Sequence, residues 1–383
     1  MSGPLAGLRV VEMAGLAPAP FACTVLADLG ADVVRVDRAA LGADVFTVPG
    51  DPLARSRRSI GVDVKSAAGR DVVLRLVDRA DVFVEGYRPG VAERMGLGPD
   101  VCLTRNSRLI YGRMTGWGQD GPLALSAGHD INYIGIAGAL EGIGRAGERP
   151  VPPLNLVGDF GGGGLLLAMG VVAALYERGV SGRGQVVDAA MVDGAALLTT
   201  QLHGLRAAGL WGGERGENLL DGGAPFYDTY RAADGRYVAV GAIEERFWQA
   251  LIGVLGLDGG SLPDRGNQAN WPALREVIAS RIATRSRDEW AGLAAGTDAC
   301  LTPVLTPWEA ADHPQNKARS TFVEVGGTPQ PAPAPRFTRT PAGAPKTPPR
   351  PGANTAEILA ELGLTEQEVE TLKAEGAVSQ AGG

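Results

Sequence analysis

The chain has 383 residues, 45% hydrophobic and 21% charged, which is ordinary globular composition but longer than one hydrophobic core supports, so two domains are expected. A formal net charge of −7 provides no global field for nucleic acid or an anionic membrane, so any anionic ligand needs a local basic cluster. Cys23, Cys102 and Cys300 are too few and too scattered for a disulfide framework or a four-ligand zinc site, and a reducing cytoplasm is the expected setting.

The first third alternates strand and helix. Leu8 to Met13 (LRVVEM) reads as a strand, the stretch from Pro20 to about Leu29 as a helix, and Asp32 to Asp37 (DVVRVD) as a second strand. IGVDV, a helix over Asp71 to Arg79, DVFVEG and RLIYGRMTG repeat the pattern. Such alternation predicts a parallel sheet covered by helices, with ligands at the carboxyl ends of its strands. The turn after the first strand reads AGLAPAP, with neither G-x-G-x-x-G nor a Walker lysine, which disfavours a nicotinamide or nucleoside triphosphate enzyme.

Leu165 to Tyr176 and Ala190 to about Ala208 read as long, mostly apolar helices, suited to an interior or a subunit interface. The longest uncharged run, Phe160 to Tyr176, carries five glycines and is short for a membrane span, so a buried core helix without membrane insertion is expected. The N-terminus lacks the basic start and apolar core of a secretory signal, and the last residues are no peroxisomal or retention address. From Phe226 the texture changes. Two strand-like runs flank Asp234-Gly235, a strong hairpin signal, and a smaller α+β domain is expected from there to about Val323. Nine prolines between Pro329 and Pro351 impose extended chain, after which ILAELG and a Thr365–Glu368 capping box predict two short helices that dock the tail.

Few residues could carry chemistry. His129, His203 and His313 are the only histidines, and no pair has metal-ligand spacing. His129 lies in SAGHDINY, where Gly128 lets backbone approach a ligand closely; the alternative is a polar loop histidine without a task. Asp159, in LVGDFGGGG before the long apolar helix, is by default an N-cap. Four consecutive glycines are a costly helix start, however, and imply that something lies against the backbone. Glu244 begins the helix carrying Phe247 and Trp248, where a first-turn acid complementing the helix dipole is the default, and for Glu245 the better, reading. Arg38, Arg55, Arg57, Arg58, Lys65, Arg88 and Arg94 form a basic set, several at predicted strand ends where a phosphate-bearing ligand would bind.

Taken together, GPLAGLRVVEMAGLAPAP, GADVVRVDR, EGYRPGVAERMGLG, RLIYGRMTGWGQDGP, AGHDINYIG, RPVPPLNLVGDFGGG, GGAPFYDTY and GRYVAVGAIE resemble the family III coenzyme A transferases and, within that superfamily, the α-methylacyl-coenzyme A racemases. The resemblance covers essentially the whole chain. It implies an interlocked homodimer of α/β class, with a large Rossmann-like parallel-sheet domain built from both chain ends and a smaller α+β domain. The expected boundaries are 1–200 for the N-terminal part of the large domain, 201–223 for a linker, 224–323 for the small domain, 324–351 for a proline-rich return and 352–383 for the docking helices.

The same resemblance implies that His129 and Asp159 flank the α-carbon of a 2-methylacyl thioester, with Glu244 supporting the histidine. One base would remove the α-proton while the conjugate acid opposite returns one, and backbone N–H groups near Asp130 would hold the enolate oxygen. Coenzyme-binding positions map onto Arg38, Val62, Asp63, Val64, Lys65, Gly86, Tyr87, Arg88, Arg94, Gly128, Asp130, Ile131, Asn132 and Tyr133. No metal or redox cofactor is implied, because coenzyme A is part of the substrate. Met191 is the only methionine of the expected acyl-site helix, which narrows the adaptable surface that methionine-rich relatives present. The alternative activity is coenzyme A transfer to a free acid through an anhydride on Asp159, and His129 favours racemisation because transfer has no use for a second base. A coenzyme-binding scaffold without turnover would not need all three residues.

Overall fold

The computed structural model describes residues 2–39 and 50–381; positions 40–49 of the expected first domain and 382–383 of the expected tail lie outside the described residues. In chain order the elements are β1 (Arg9–Met13), α1 (Pro18–Asp28), β2 (Asp32–Arg38), β3 (Arg58–Val62), α2 (Ala67–Arg79), β4 (Val82–Glu85), α3 (Val91–Arg94), α4 (Pro99–Arg105), β5 (Ile110–Thr115) and α5 (Asp130–Ile136). A wide π-helical run, Leu156–Leu165, leads directly into α6 (Leu166–Ser181), followed by β6 (Gln185–Ala190), α7 (Met191–Leu198) and α8 (Thr200–Ala207). Then come β7 (Tyr227–Arg231), β8 (Tyr237–Gly241), α9 (Glu245–Leu255), α10 (Trp271–Ile282), α11 (Arg287–Ala294), β9 (Leu301–Pro303) and α12 (Pro314–Ala318). The chain closes with β10 (Phe322–Val325), β11 (Thr328–Pro331), α13 (Thr355–Glu361), α14 (Glu366–Ala374) and β12 (Val378–Ser379).

The chain forms two compact units. The first comprises Met1–Ala137, Leu154–Leu198 and Ala318–Gly383, so both chain ends build it, as expected. Its seven-stranded sheet runs β12-β3-β2-β1-β4-β5-β6, with β1 to β6 parallel and β12 antiparallel to β3. The strand order reverses between β1 and β4, which makes the carboxyl ends of those strands the topological switch point of a doubly wound fold.

Successive strand side chains point to opposite faces, and the valine-rich runs fill both. Val10, Val33, Val82 and Ile110 enter one core with Leu26 of α1 and Leu167 and Val171 of α6. Val11, Val34, Phe83 and Tyr111 enter the other with Val73 and Val77 of α2, Ile358 and Leu359 of α13 and Val369 of α14. The tail docks through main-chain pairing: Val378 faces Val62, the Asp63 N–H donates to Ala377 O at 2.9 Å, and Thr355 Oγ1 accepts the Gly61 N–H at 3.0 Å. Pro329 and Pro331 fall in an isolated two-stranded ladder, β10–β11, where a missing amide donor is tolerated.

The second unit comprises Gly138–Pro153 and Thr199–Lys317. Its antiparallel sheet, β7-β8-β9, turns at Asp234-Gly235, with Gly235 at φ 79°, and its core gathers Trp248, Leu251, Leu274, Ile278 and Trp290. These limits differ from the expected ones. Residues 138–153 join this unit because Arg145 pairs with Asp228 and bonds Thr229, while Arg215 donates to Glu141 and to the Glu148 carbonyl. The expected helix from Ala190 to Ala208 is also interrupted: Ala190 ends β6, and two helices meet at Thr199.

Candidate active site

At the switch point, charge is buried to fix the loop after β1. Glu12, near the end of β1, and Arg57, which leads into β3, are both fully buried and paired; Arg57 also donates to Pro20 O, Thr24 Oγ1 and Arg55 O. Burial raises the Glu12 carboxyl above its ordinary value despite that partner. Arg55 is spent on Asp28, Gln330 and Pro331 O, and Arg58 on Asp32, Glu357 and Glu361 at the amino ends of the strands. Three of the seven basic candidates are therefore structural ion pairs rather than free phosphate ligands.

The other four fall where a doubly wound sheet receives ligands. Exposed Arg38 ends β2, exposed Lys65 follows β3, exposed Arg88 follows β4, and exposed Arg94 lies in α3; none makes an ion pair with another described residue. Val62 is buried at the end of β3, Val64 packs on the core, and Asp63 turns the chain into α2 by accepting the Lys65 N–H at 3.1 Å. Gly86 is exposed after β4, where a Cβ would stand 3.2 Å from that of Ala19. The Tyr87 N–H is fixed by Glu85 Oε2 at 2.7 Å. Arg113 ties Glu85 to Glu93, one residue before Arg94, at 3.0 and 2.9 Å, so α3 is held on the ends of β4 and β5.

His129, Asp130 and Asp159 form one connected group in the first unit. His129 is exposed and precedes α5 with extended backbone, φ −133° and ψ 173°, and its N–H donates to Asn132 Oδ1 at 3.0 Å. Its helix start leaves the N–H groups of Asp130 and Ile131 beyond the reach of intrahelical acceptors. Asp130 is 7% exposed, and its Oδ2 accepts the Asp159 N–H at 2.7 Å. Asp159 is half-buried within the π-helical run and receives Asn155 Nδ2 on Oδ2 at 3.1 Å. Burial pushes the Asp159 carboxyl above its ordinary value; the Asn155 bond and the His129 charge oppose this, and the Asp130 carboxylate adds to it.

One expectation about this group changes. Asp159 is not an N-cap: it lies four residues past Asn155, the cap position of the run, and its side chain makes no capping bond. The glycines beside it admit protein, since a Cβ at Gly162 would lie 2.6 Å from Ala195 N, one at Gly163 2.9 Å from Met191 Cγ, and one at Gly164 2.7 Å from Pro18 O. Gly128 is likewise explained by the ring of Tyr133, which lies 2.7 Å from where its Cβ would be. Tyr133 is buried, stacks edge-on to Trp117 at 4.7 Å and gives its hydroxyl hydrogen to Gly128 O, so its side chain braces the loop rather than facing a ligand. Ile131 and Asn132 stay exposed.

Glu244 belongs to the second unit. It occupies the cap position of α9, exposed, without a side-chain capping bond, while Glu245 accepts from Gln249 and Arg265 in the first turn. Among the described residues, no group of three or more His, Cys, Asp or Glu could hold a metal ion.

The model of the family described as CoA-transferase family III matches residues 5–355. The chain belongs to that family. This family III chain is 48% identical over 367 residues to "Alpha-methylacyl-CoA racemase" of Mus musculus, covering 95% of both chains, and 46% identical over 373 residues to the Homo sapiens protein of the same name, covering 97% of this chain and 96% of that one. In structure it is similar to a CAIB/BAIF family protein from Brucella suis, with a TM-score of 0.81, 28% identity, and coverage of 94% of this chain and 100% of that one. The chain thus carries the exposed cations Arg38, Lys65, Arg88 and Arg94 at or after the carboxyl ends of β2, β3 and β4 and, later in the sequence, His129 with the bonded pair Asp130 and Asp159.

Proposed function

We propose that this chain is an isomerase that interconverts (R)- and (S)-2-methylacyl-coenzyme A thioesters by 1,1-proton transfer through an enolate. The observation that carries this reading is the connected group His129–Asp130–Asp159, in a chain nearly half identical to proteins named for that activity. An α-proton beside a thioester is about a dozen pKa units less acidic than the conjugate acid of either base, a gap of ~16 kcal/mol. Fixed donors must therefore hold the enolate oxygen as charge develops, and the Asp130 N–H at the start of α5 is the donor we assign. His129 and Asp159 then act as base and acid in one direction and exchange roles in the other.

The coenzyme's phosphates are assigned to Arg38, Lys65, Arg88 and Arg94. We assign Glu244 to the histidine's support, delivered by a second copy of the chain. The scheme needs no metal or redox cofactor. A homodimer is supported by a stripe on α6: Met169, Val172, Tyr176 and Val180 are exposed at helical spacing. The run Leu156–Ser181 is long and apolar enough to cross a membrane, and 39% of its apolar window is buried in the chain. We read its exposed side as subunit contact, because its first turns carry Asp159 and pack on α1 and α7. A cytoplasmic setting is our expectation.

Incubating the protein with pure (S)-2-methylacyl thioester in heavy water tests the reading. Deuterium at the α-carbon and both enantiomers, without any acid acceptor, are expected. An acyl group on Asp159 trapped by hydroxylamine, together with dependence on a free acid, would replace racemisation by coenzyme transfer.

A further inference from the structure

We infer that the Asp130 side chain is a positioning residue of this reaction: its carboxylate clamps the backbone of Asp159 and so joins the segment bearing one base to the segment bearing the other. The inference rests on the racemase reading and adds a residue to it. Asp130 follows His129 directly, and its side chain reaches into the π-helical run to accept the Asp159 N–H at 2.7 Å. The chain makes room for this contact. A Cβ on Gly158 would stand 2.6 Å from Asp130 Oδ2 and 2.8 Å from its Cγ, so glycine is the residue that admits the clamp.

The clamp is not a generic polar contact. Asp130 is 7% exposed, and its Oδ1 is buried with no hydrogen-bond partner among the described residues. A carboxylate held for fold stability alone would be expected to satisfy both oxygens, since an unsatisfied buried acceptor is costly. Here the charge faces a second carboxyl group. Of the titratable groups acting on Asp159, Asp130 favours its protonated form and His129 its ionised form, and Tyr133 also stands within electrostatic reach. The packed faces of α1 and α7 bring buried apolar or glycine residues to the run, with Asp193 exposed on α7. Removing the Asp130 charge while keeping an acceptor should therefore make Asp159 more acidic.

The test compares wild type, Asp130→Asn and Gly158→Ala by kcat and KM for α-proton exchange across pH. The acidic limb of kcat/KM reports protonation of an essential base of the free enzyme, here Asp159. In Asp130→Asn that limb is expected at lower pH, with KM for the thioester unchanged. Gly158→Ala, which displaces the clamp from the other side, is expected to lose ~10²-fold in kcat, also at unchanged KM. An acidic limb that coincides with wild type in Asp130→Asn, or wild-type kcat in Gly158→Ala, overturns the inference. Absence of α-exchange in the wild type would instead overturn the racemase reading beneath it.

Discussion

Substituting Gly194 by alanine strikes the point where packing is tightest beside the proposed chemistry. A Cβ there would lie 1.8 Å from Gly162 O and 2.7 Å from Gly162 Cα, and Gly162 belongs to the same π-helical run as Asp159, three residues on. Ordinary contact distances require the two backbones to part by roughly 1.5 Å. Overpacking of this kind costs about 1–3 kcal/mol, which for a large domain lowers Tm by about 3–10 °C. If the run carries a catalytic base, a ~1 Å displacement also removes ~10²-fold of kcat. Thermal unfolding and α-deuterium exchange, measured on the same preparation, read the two effects. Gly253→Ala on α9, where a Cβ meets nothing within 4 Å, is the control, expected to leave Tm unchanged or slightly raised. Wild-type Tm in Gly194→Ala would refute the packing argument; a lowered Tm with wild-type kcat would refute the link from that packing to Asp159.

Arg57→Ala leaves the buried Glu12 carboxylate with only Arg35, 3.8 Å away, as counter-charge, and a loss of about 3–5 kcal/mol is expected in urea unfolding; a loss below ~1 kcal/mol would contradict the assignment of that pair to the fold. In the second unit, the bond from Arg287, with the Thr306 amide and hydroxyl, holds Glu309 down at about 2. Since the folded value lies below the unfolded one, its contribution is present above the ordinary carboxylate range and vanishes as pH falls toward about 2. Glu309→Gln should thus lower Tm at neutral pH and leave it unchanged at the acid end, as followed by circular dichroism.

Much of the fold was legible because local chemistry and tertiary role agree. The valine-rich runs around Val10, Val33 and Val82 became parallel strands buried on both faces, and Thr365 with Glu368 formed the expected capping box. What was hidden depends on partners distant in sequence. The two-residue β12 exists only because β3 offers an edge, and the glycines after Asp159 are set by α1 and α7. Arg55, Arg57 and Arg58 looked like ligand cations because nothing local reveals Asp28, Glu12 or Asp32 as their partners.

The site was legible in part. His129, Asp130 and Asp159 were named from their motifs, and Asp130 accepts the Asp159 N–H, whereas Asn155, which bonds Asp159, went unnoticed. Its one signal was a spacing of four residues on a helix, common to many unrelated pairs. The packing of Tyr133 over Gly128 was hidden as well, since an aromatic side chain five residues after a glycine does not declare that it will fold back over it.

Exchange and inversion, followed separately in the single-base variants, test the central claim most directly. In heavy water, Asp159→Asn with His129 intact should exchange the α-proton of one enantiomer without inverting it, and His129→Ala should do so only for the other. Inversion persisting at wild-type rate in either variant would mean that the two groups do not share the α-carbon between them.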